Sequence, residues 1–131
     1  MRKINTSDVF KMARIIKQAN VKSAMAEIFN STRENKIEIL EGDSDEEKAE
    51  KLKKIERKKE NAGFQAIMTI FESCCTEELE EMLYQFLAGI TEKRSEDIAT
   101  QSLETTIEEV KTIVKENNIF DFFSQADQLT N

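Results

Sequence analysis

The residue types that carry most protein chemistry are either missing from this chain or stand in patterns that chemistry does not use. There is no histidine. That removes Ser-His-Asp and Cys-His catalysis, the commonest general base near neutral pH, and the His-bearing zinc and di-iron helix motifs. Adjacent carboxylates are plentiful, as in Glu77-Glu78 and Glu108-Glu109. On acidic helices such pairs read as solvated faces, whereas acid–base work needs a carboxylate in an apolar pocket. Asp43-Ser44-Asp45-Glu46-Glu47 opens like a calcium loop, but the sixth position must be Gly and is Lys48, and the twelfth should be Glu and is Lys54. The three glycines, at 42, 63 and 89, are isolated, so no glycine-rich phosphate loop exists. Cys74 and Cys75 are neighbours, which strains a disulfide between them, and no second pair is spaced for a metal. They read as two small hydrophobes at a helix end. No catalytic, cofactor-binding or metal-ligating residue is expected.

Two features suit binding instead. Lys11, Arg14 and Lys17 fall on one side of a first helix, with Lys22 beyond; the stripe is either an ordinary solvated face or a contact for phosphate. The second is Ile119-Phe120-Asp121-Phe122-Phe123, which holds three of the chain's eight Phe. It reads as a closing helix docked on the core. Phe120 cannot share a face with both Phe122 and Phe123, so it is expected to stay exposed as a partner contact.

The elements that position these residues follow from composition. At 131 residues the chain fits one domain, and 39% apolar residues suffice for one core. No run approaches the roughly 20 apolar residues of a spanning helix. The opening Met1-Arg2-Lys3-Ile4-Asn5-Thr6 does not lead into the apolar stretch of a signal peptide, so a cytoplasmic location is expected. Pro is absent and Gly is scarce, a composition made to run as helix between short connections. The net charge of −7 is uneven: residues 1–71 hold 15 basic and 12 acidic residues, and residues 72–131 hold 4 basic and 14 acidic. Such polarity disfavours general nucleic-acid binding and is suited to orienting self-association or steering a basic partner.

Apolar periodicity predicts a helix over 7–19, capped by Ser7 and stopped at Asn20, and a second from Val21 along Val21, Ala24, Met25, Ile28 and Phe29. Together they read as a helical hairpin over 7–34. Residues 30–43 stay open between a short strand near Ile37 to Leu40 and a last helical turn. Ser44 and Glu47 make a capping-box signature. The charged helix it opens, over 44–62, offers only Ala49, Leu52 and Ile55 as an apolar face. This stretch near 41–60 is either a solvated helix or a mobile arm ordered by a partner. A C-terminal helical core over 63–129 begins at Gly63, with Phe64, Ile67, Met68, Phe71 and Cys75 on one stripe. Thr76 caps the next helix, and Gly89-Ile90 resembles its C-terminal stop. Shorter helices follow around 95–98, 103–116 and 119–129.

Four segments, in order, then carry a resemblance: Lys3-Ile4-Asn5-Thr6-Ser7-Asp8-Val9-Phe10 with Ala13-Arg14-Ile15-Ile16-Lys17; Ile67-Met68-Thr69-Ile70-Phe71-Glu72; Leu83-Tyr84-Gln85-Phe86-Leu87-Ala88-Gly89 with Asp97-Ile98; and Lys115-Glu116-Asn117-Asn118-Ile119 leading into Asp121-Phe122-Phe123. The set resembles tail assembly chaperones of long-tailed phages and prophages of Gram-positive bacteria. It departs from them after Gly89, where Ile90-Thr91-Glu92 replaces a Pro-Phe-like turn, and over 41–60, which matches no part of the pattern. The resemblance implies a small, helical, non-enzymatic protein of the host cytoplasm, not retained in the mature virion. Such a protein coats the tape measure protein, keeps its long apolar helices soluble and helps recruit tail tube subunits.

The reading is therefore an all-α, multi-helix bundle of one domain, 1–131. Its expected core is Ile28, Phe29, Ile67, Met68, Phe71, Leu83, Phe86, Leu87, Val110 and Val114. The alternative function is a small phage or mobile-element regulator that contacts nucleic acid through the basic first helix.

Overall fold

The computed structural model describes residues 1–34, 37–73 and 76–130. Seven helices and no strand occur among them: α1 (Thr6–Ala19), α2 (Lys22–Glu34), α3 (Asp45–Ser73), α4 (Glu77–Thr91), α5 (Ser95–Thr100), α6 (Leu103–Glu116) and α7 (Ile119–Gln128). The fold is all-α. Ile37 to Leu40 is irregular rather than extended, and Cys74, Cys75 and Asn131 lie outside the described residues.

Local chemistry sets the helix ends. Asn5, not Ser7, caps α1: its side chain accepts from the Asp8 N–H, and the Asn5 N–H donates back to the Asp8 carboxylate. This is a capping box in which Asp takes the part usually played by Glu. Asn20 ends α1 in the left-handed conformation, at φ 57°. Thr76 caps α4 through the Leu79 N–H, and Ser44 serves the Glu47 N–H at the start of α3. Gly89 is not the stop of α4. The helix continues to Thr91, and Glu92 takes the left-handed position at φ 62°.

Packing differs from the expected hairpin over 7–34. α1 lies against α4 and α7, while α2 lies chiefly against α3. The two helices joined at Asn20–Val21 do not pair along their lengths. α7 is consequently enclosed by α1 on one side and by α2 and α3 on another. The core joins Met12, Ile15 and Ile16 of α1 to Met25 and Phe29 of α2, Ile67 and Ile70 of α3, Leu83, Phe86, Leu87 and Ile90 of α4, Val110, Ile113 and Val114 of α6, and α7. Phe86 stacks on Phe122 with centroids 5.8 Å apart. Ile28, Met68 and Phe71, expected in the core, are half-buried at its margin.

The second correction concerns the division at 62/63. α3 runs unbroken through Gly63 for 29 residues, about 43 Å. Gly63 marks a crossing rather than a boundary. A Cβ built there would lie 2.7 Å from Ile119 Cγ2 and 3.1 Å from Ile119 Cβ. Only glycine lets the start of α7 approach the long helix so closely. Gly63→Ala should therefore cost about 1–2 kcal/mol, overpacking against a buried β-branched side chain outweighing a helix-propensity gain of up to about 1 kcal/mol. Urea titration measures it, and a gain in stability would mean that Ile119 yields freely.

Candidate functional site

The first five residues form a strap across the ends of three helices. The Arg2 N–H donates to the Ile90 carbonyl (2.9 Å), Lys3 Nζ to the Glu116 carbonyl (2.8 Å) and the Ile4 N–H to Asn117 Oδ1 (3.1 Å). Arg2 then closes on Asp8 with two parallel bonds, Nη1 to Oδ2 at 2.7 Å and Nη2 to Oδ1 at 2.9 Å. Asp8 is fully buried. Burial pushes its carboxyl up. The Arg2 and Asn5 hydrogen bonds, with the charges of Arg2 and Lys11, outweigh that and hold it below the ordinary carboxylate value. This makes it a poor proton acceptor, and its geometry is that of a lock on the strap. Sequence reading missed it, although the Asn5-to-Asp8 spacing was a signal that a cap stood there.

The strap forms one wall of a groove between α1 and α7. Ile4, Val9, Phe10, Phe122 and Leu129 supply its apolar lining, and Asn117, Asn118, Asp121 and Gln125 its polar lining; its volume is about 650 Å³. Phe10 and Leu129 are 51% and 52% exposed. Asn117 and Asn118 also line a second groove of about 480 Å³, which continues past Val114 to Phe120 and ends at Glu56, Lys59 and Glu60 of α3.

Beyond that groove α3 leaves the body. No residue from Asp45 to Glu60 is buried, whereas Ala62, Gly63, Ala66, Ile67 and Ile70 all are. The apolar stripe nevertheless continues outward. Leu52 precedes Ile70 by eighteen residues, five full turns, and so lies on the same face. Ile39, Leu40 and Leu52 are exposed there at 41–55%. The stretch near 41–60 is thus a solvated helix from Asp45 onward, extending from the body as an arm. Asp43 braces its outer end by accepting from the Leu40 N–H and from Lys51 Nζ. Among the described residues no group of three or more His, Cys, Asp and Glu is gathered as a metal site would gather them.

The residues singled out for binding are not brought together. Phe120 is buried, and meets Phe29 edge-on with centroids 5.4 Å apart. Its expected exposure fails because α7 is covered on more than one side: Phe122 stacks on Phe86, Phe120 meets Phe29 of α2, and only a polar face at Asp121, Gln125 and Gln128 stays exposed. Arg14 and Lys17 are exposed and Lys11 half-buried, and none of the three forms an ion pair among the described residues. Lys11 Nζ lies near the end of α4, 3.6 Å from where a Gly89 Cβ would stand. A cation placed there suits the negative end of a helix. The candidate surfaces that sequence reading missed are the two grooves; the uncovered stripe of α3 follows the apolar face at Leu52 and Ile55 read from the sequence. Phe10 falls off the stripe of α1, whereas Leu129 continues the stripe through Phe122 and Ala126; the fold shows that both are exposed. No helix among the described residues is long and apolar enough to cross a membrane. No protein-family model, curated protein or solved structure matches this chain.

Proposed function

We propose that this chain is a non-enzymatic tail assembly chaperone of a long-tailed phage or prophage. It works in the host cytoplasm, binds the tape measure protein and helps bring tail tube subunits to it. The observation that carries the reading is an all-helical body with a full core that still leaves a groove of mixed polar and apolar lining open beside the exposed Phe10 and Leu129. An amphipathic helix lays its apolar face into a groove of this kind. The four sequence segments quoted above supply the identity of the partner. The acid excess, net −7, would keep a complex with an apolar filament in solution.

The test is co-expression of the chain with a tape measure protein of a long-tailed phage of Gram-positive bacteria. The long protein is expected in the soluble fraction with the chain present and in the pellet without it. Equal solubility in both cases would overturn the proposal. Tight, sequence-selective binding to duplex DNA, lost on replacing Lys11, Arg14 and Lys17, would favour the regulator reading instead.

A further inference from the structure

The two grooves meet where Asn117 and Asn118 line both, and the strap crosses there: Lys3 Nζ reaches the Glu116 carbonyl and the Ile4 N–H reaches Asn117 Oδ1. The strap is held unequally along its length. Asp8 Oδ2 accepts from the Asn5 N–H at 2.9 Å and from Arg2 Nη1 at 2.7 Å, so one buried carboxylate fixes both residues. Lys3 and Ile4, between these anchors, have lighter ties. Lys3 is exposed, and its ammonium rests on one carbonyl; the Ile4 side chain is half-buried at the margin of the core. Single hydrogen bonds of this kind add little net stability. The second groove, for its part, continues onto the α3 arm. Leu52, Glu56, Lys59 and Gly63 follow one another at intervals of three or four and form one row. Glu56 and Lys59 line the groove, Gly63 lies against Ile119 at the inner end, and Leu52, 51% exposed, stands at the outer end. Apolar side chains are thus uncovered at both extremes, Phe10 and Leu129 at one and Leu52 at the other, with the strap crossing between them.

We propose that Lys3-Ile4 is a latch between the grooves. It lifts while Arg2 and Asn5 stay on Asp8, and the two grooves and the row on α3 then form one trough for a single long amphipathic helix. Its use rests on the reading of the first groove as a helix-binding surface, which it deepens. The closed latch interrupts the trough, so a helix seated at Phe10 and Leu129 reaches Leu52 only when the latch is open. The lining sets the chemistry of the occupant. Glu56, Glu60, Glu116 and Asp121 stand there against Lys59 and Lys115. Lifting the latch also takes the Lys3 ammonium away and uncovers the Glu116 carbonyl and Asn117 Oδ1 as acceptors. A helix with leucines on one face and lysines along its edge suits such a trough. The open form is the minor one, and affinity for a long helix is lowered by the fraction of molecules that are open. A short helix that fills only the first groove needs no opening. The latch therefore acts on long helices and leaves short ones unaffected.

Residue-resolved amide exchange of the full chain alone tests the opening. The Ile4 N–H should exchange at least about a hundredfold faster than the amides of Phe86 and Ile113 in the helix interiors. The Asn5 N–H, held by Asp8, should stay slow. An Ile4 amide as slow as those of the core would overturn the proposal, and so would an Asn5 amide as fast as Ile4. Fluorescence anisotropy with two synthetic leucine-lysine helices, roughly 12 and 24 residues or about 18 and 36 Å long, tests the trough. Lys3→Ala should bind the long peptide about three to ten times more tightly than the wild type. Leu52→Glu should bind it about tenfold more weakly. The short peptide should bind all three chains equally. Both positions are exposed, so the melting temperatures should stay close to that of the wild type. A long peptide that the wild type does not bind, or that either variant binds as the wild type does, would overturn the proposal. The tape measure protein takes no part in these measurements, so failure of the chaperone proposal and failure of the latch are read separately.

Discussion

A chain ending at Asn118 is expected to lose its cooperative fold. The deletion removes Ile119, Phe120, Phe122, Phe123 and Ala126, each at most 8% exposed. Burial of each large apolar side chain contributes about 1.5–3 kcal/mol. Three Phe and one Ile together therefore approach the roughly 5–15 kcal/mol that holds a whole domain. The loss is compounded because α7 is enclosed on several sides. Without it, Phe29 loses its edge-on partner and Phe86 its stacked partner, and the faces of α1 and α3 that meet it are opened to water. Thermal melting followed by circular dichroism should show no sigmoidal transition. Leu129→Ala is the control: its side chain is exposed, so the cost should stay within about 0.5 kcal/mol. A shortened chain that still melts cooperatively near the wild-type temperature would show that α7 is an accessory rather than a wall of the core.

The second large effect is expected from Arg2→Ala, a change ten residues before Met12, the first buried apolar side chain of the core. Asp8 would keep its Asn5 N–H but lose both guanidinium bonds while fully buried. Orphaning one member of a fully buried pair costs about 3–5 kcal/mol. The Arg2 side chain is 27% exposed, so about 2–3 kcal/mol is expected here. The pH dependence gives the loss its signature. In the wild type the folded Asp8 carboxyl titrates below its ordinary value of 3.8. The stability it contributes is therefore complete above that value and disappears as pH falls through the lower folded value. In the variant only the Asn5 N–H and the charge of Lys11 still oppose burial, so the carboxyl rises relative to the wild type and its charged form is less well held near neutral pH. The gap between wild type and variant should be widest near pH 7 and narrow on acidification toward about pH 4. A gap that is constant with pH would mean that Arg2 acts through packing of its stem alone.

How much of this was legible beforehand depends on whether a feature is local. The turn residues Asn20, Thr76 and Ser44 act on donors or acceptors within a few positions, and each stands where the spacing placed it. The stripes through Met12 and Ile16, Met25 and Phe29, Ile67, Leu83 and Phe86, and Val110 and Val114 are likewise local in period, and all are buried. The strap is the opposite case. Lys3 and Ile4 bond to Glu116 and Asn117, 113 residues away, and no periodicity announces such a contact. Gly63 was misread for a related reason. The change in composition there is real, but it separates the covered half of one helix from its uncovered half, and the helix itself does not respond. Phe120 was misjudged because a one-faced helix was assumed, whereas α2 and α3 cover the side on which Phe120 lies, leaving Asp121, Gln125 and Gln128 to solvent. Of the candidate site, the charge asymmetry and the narrow apolar face at Ala49, Leu52 and Ile55 were visible; the grooves arise from how α1, α3, α6 and α7 meet.

The central claim is that this chain keeps a long helical partner in solution by covering its apolar faces at the groove beside Phe10 and Leu129. The most direct measurement is the fraction of purified tape measure protein that remains in the supernatant as increasing amounts of the chain are added. The wild type is compared with a double variant, Phe10→Glu with Leu129→Glu, whose positions are exposed and whose melting temperature should be close to that of the wild type. The soluble fraction should rise with added wild type until the partner is covered, and the double variant should require about tenfold more or fail to hold it. A tape measure protein that precipitates to the same extent with and without the wild-type chain would contradict the claim.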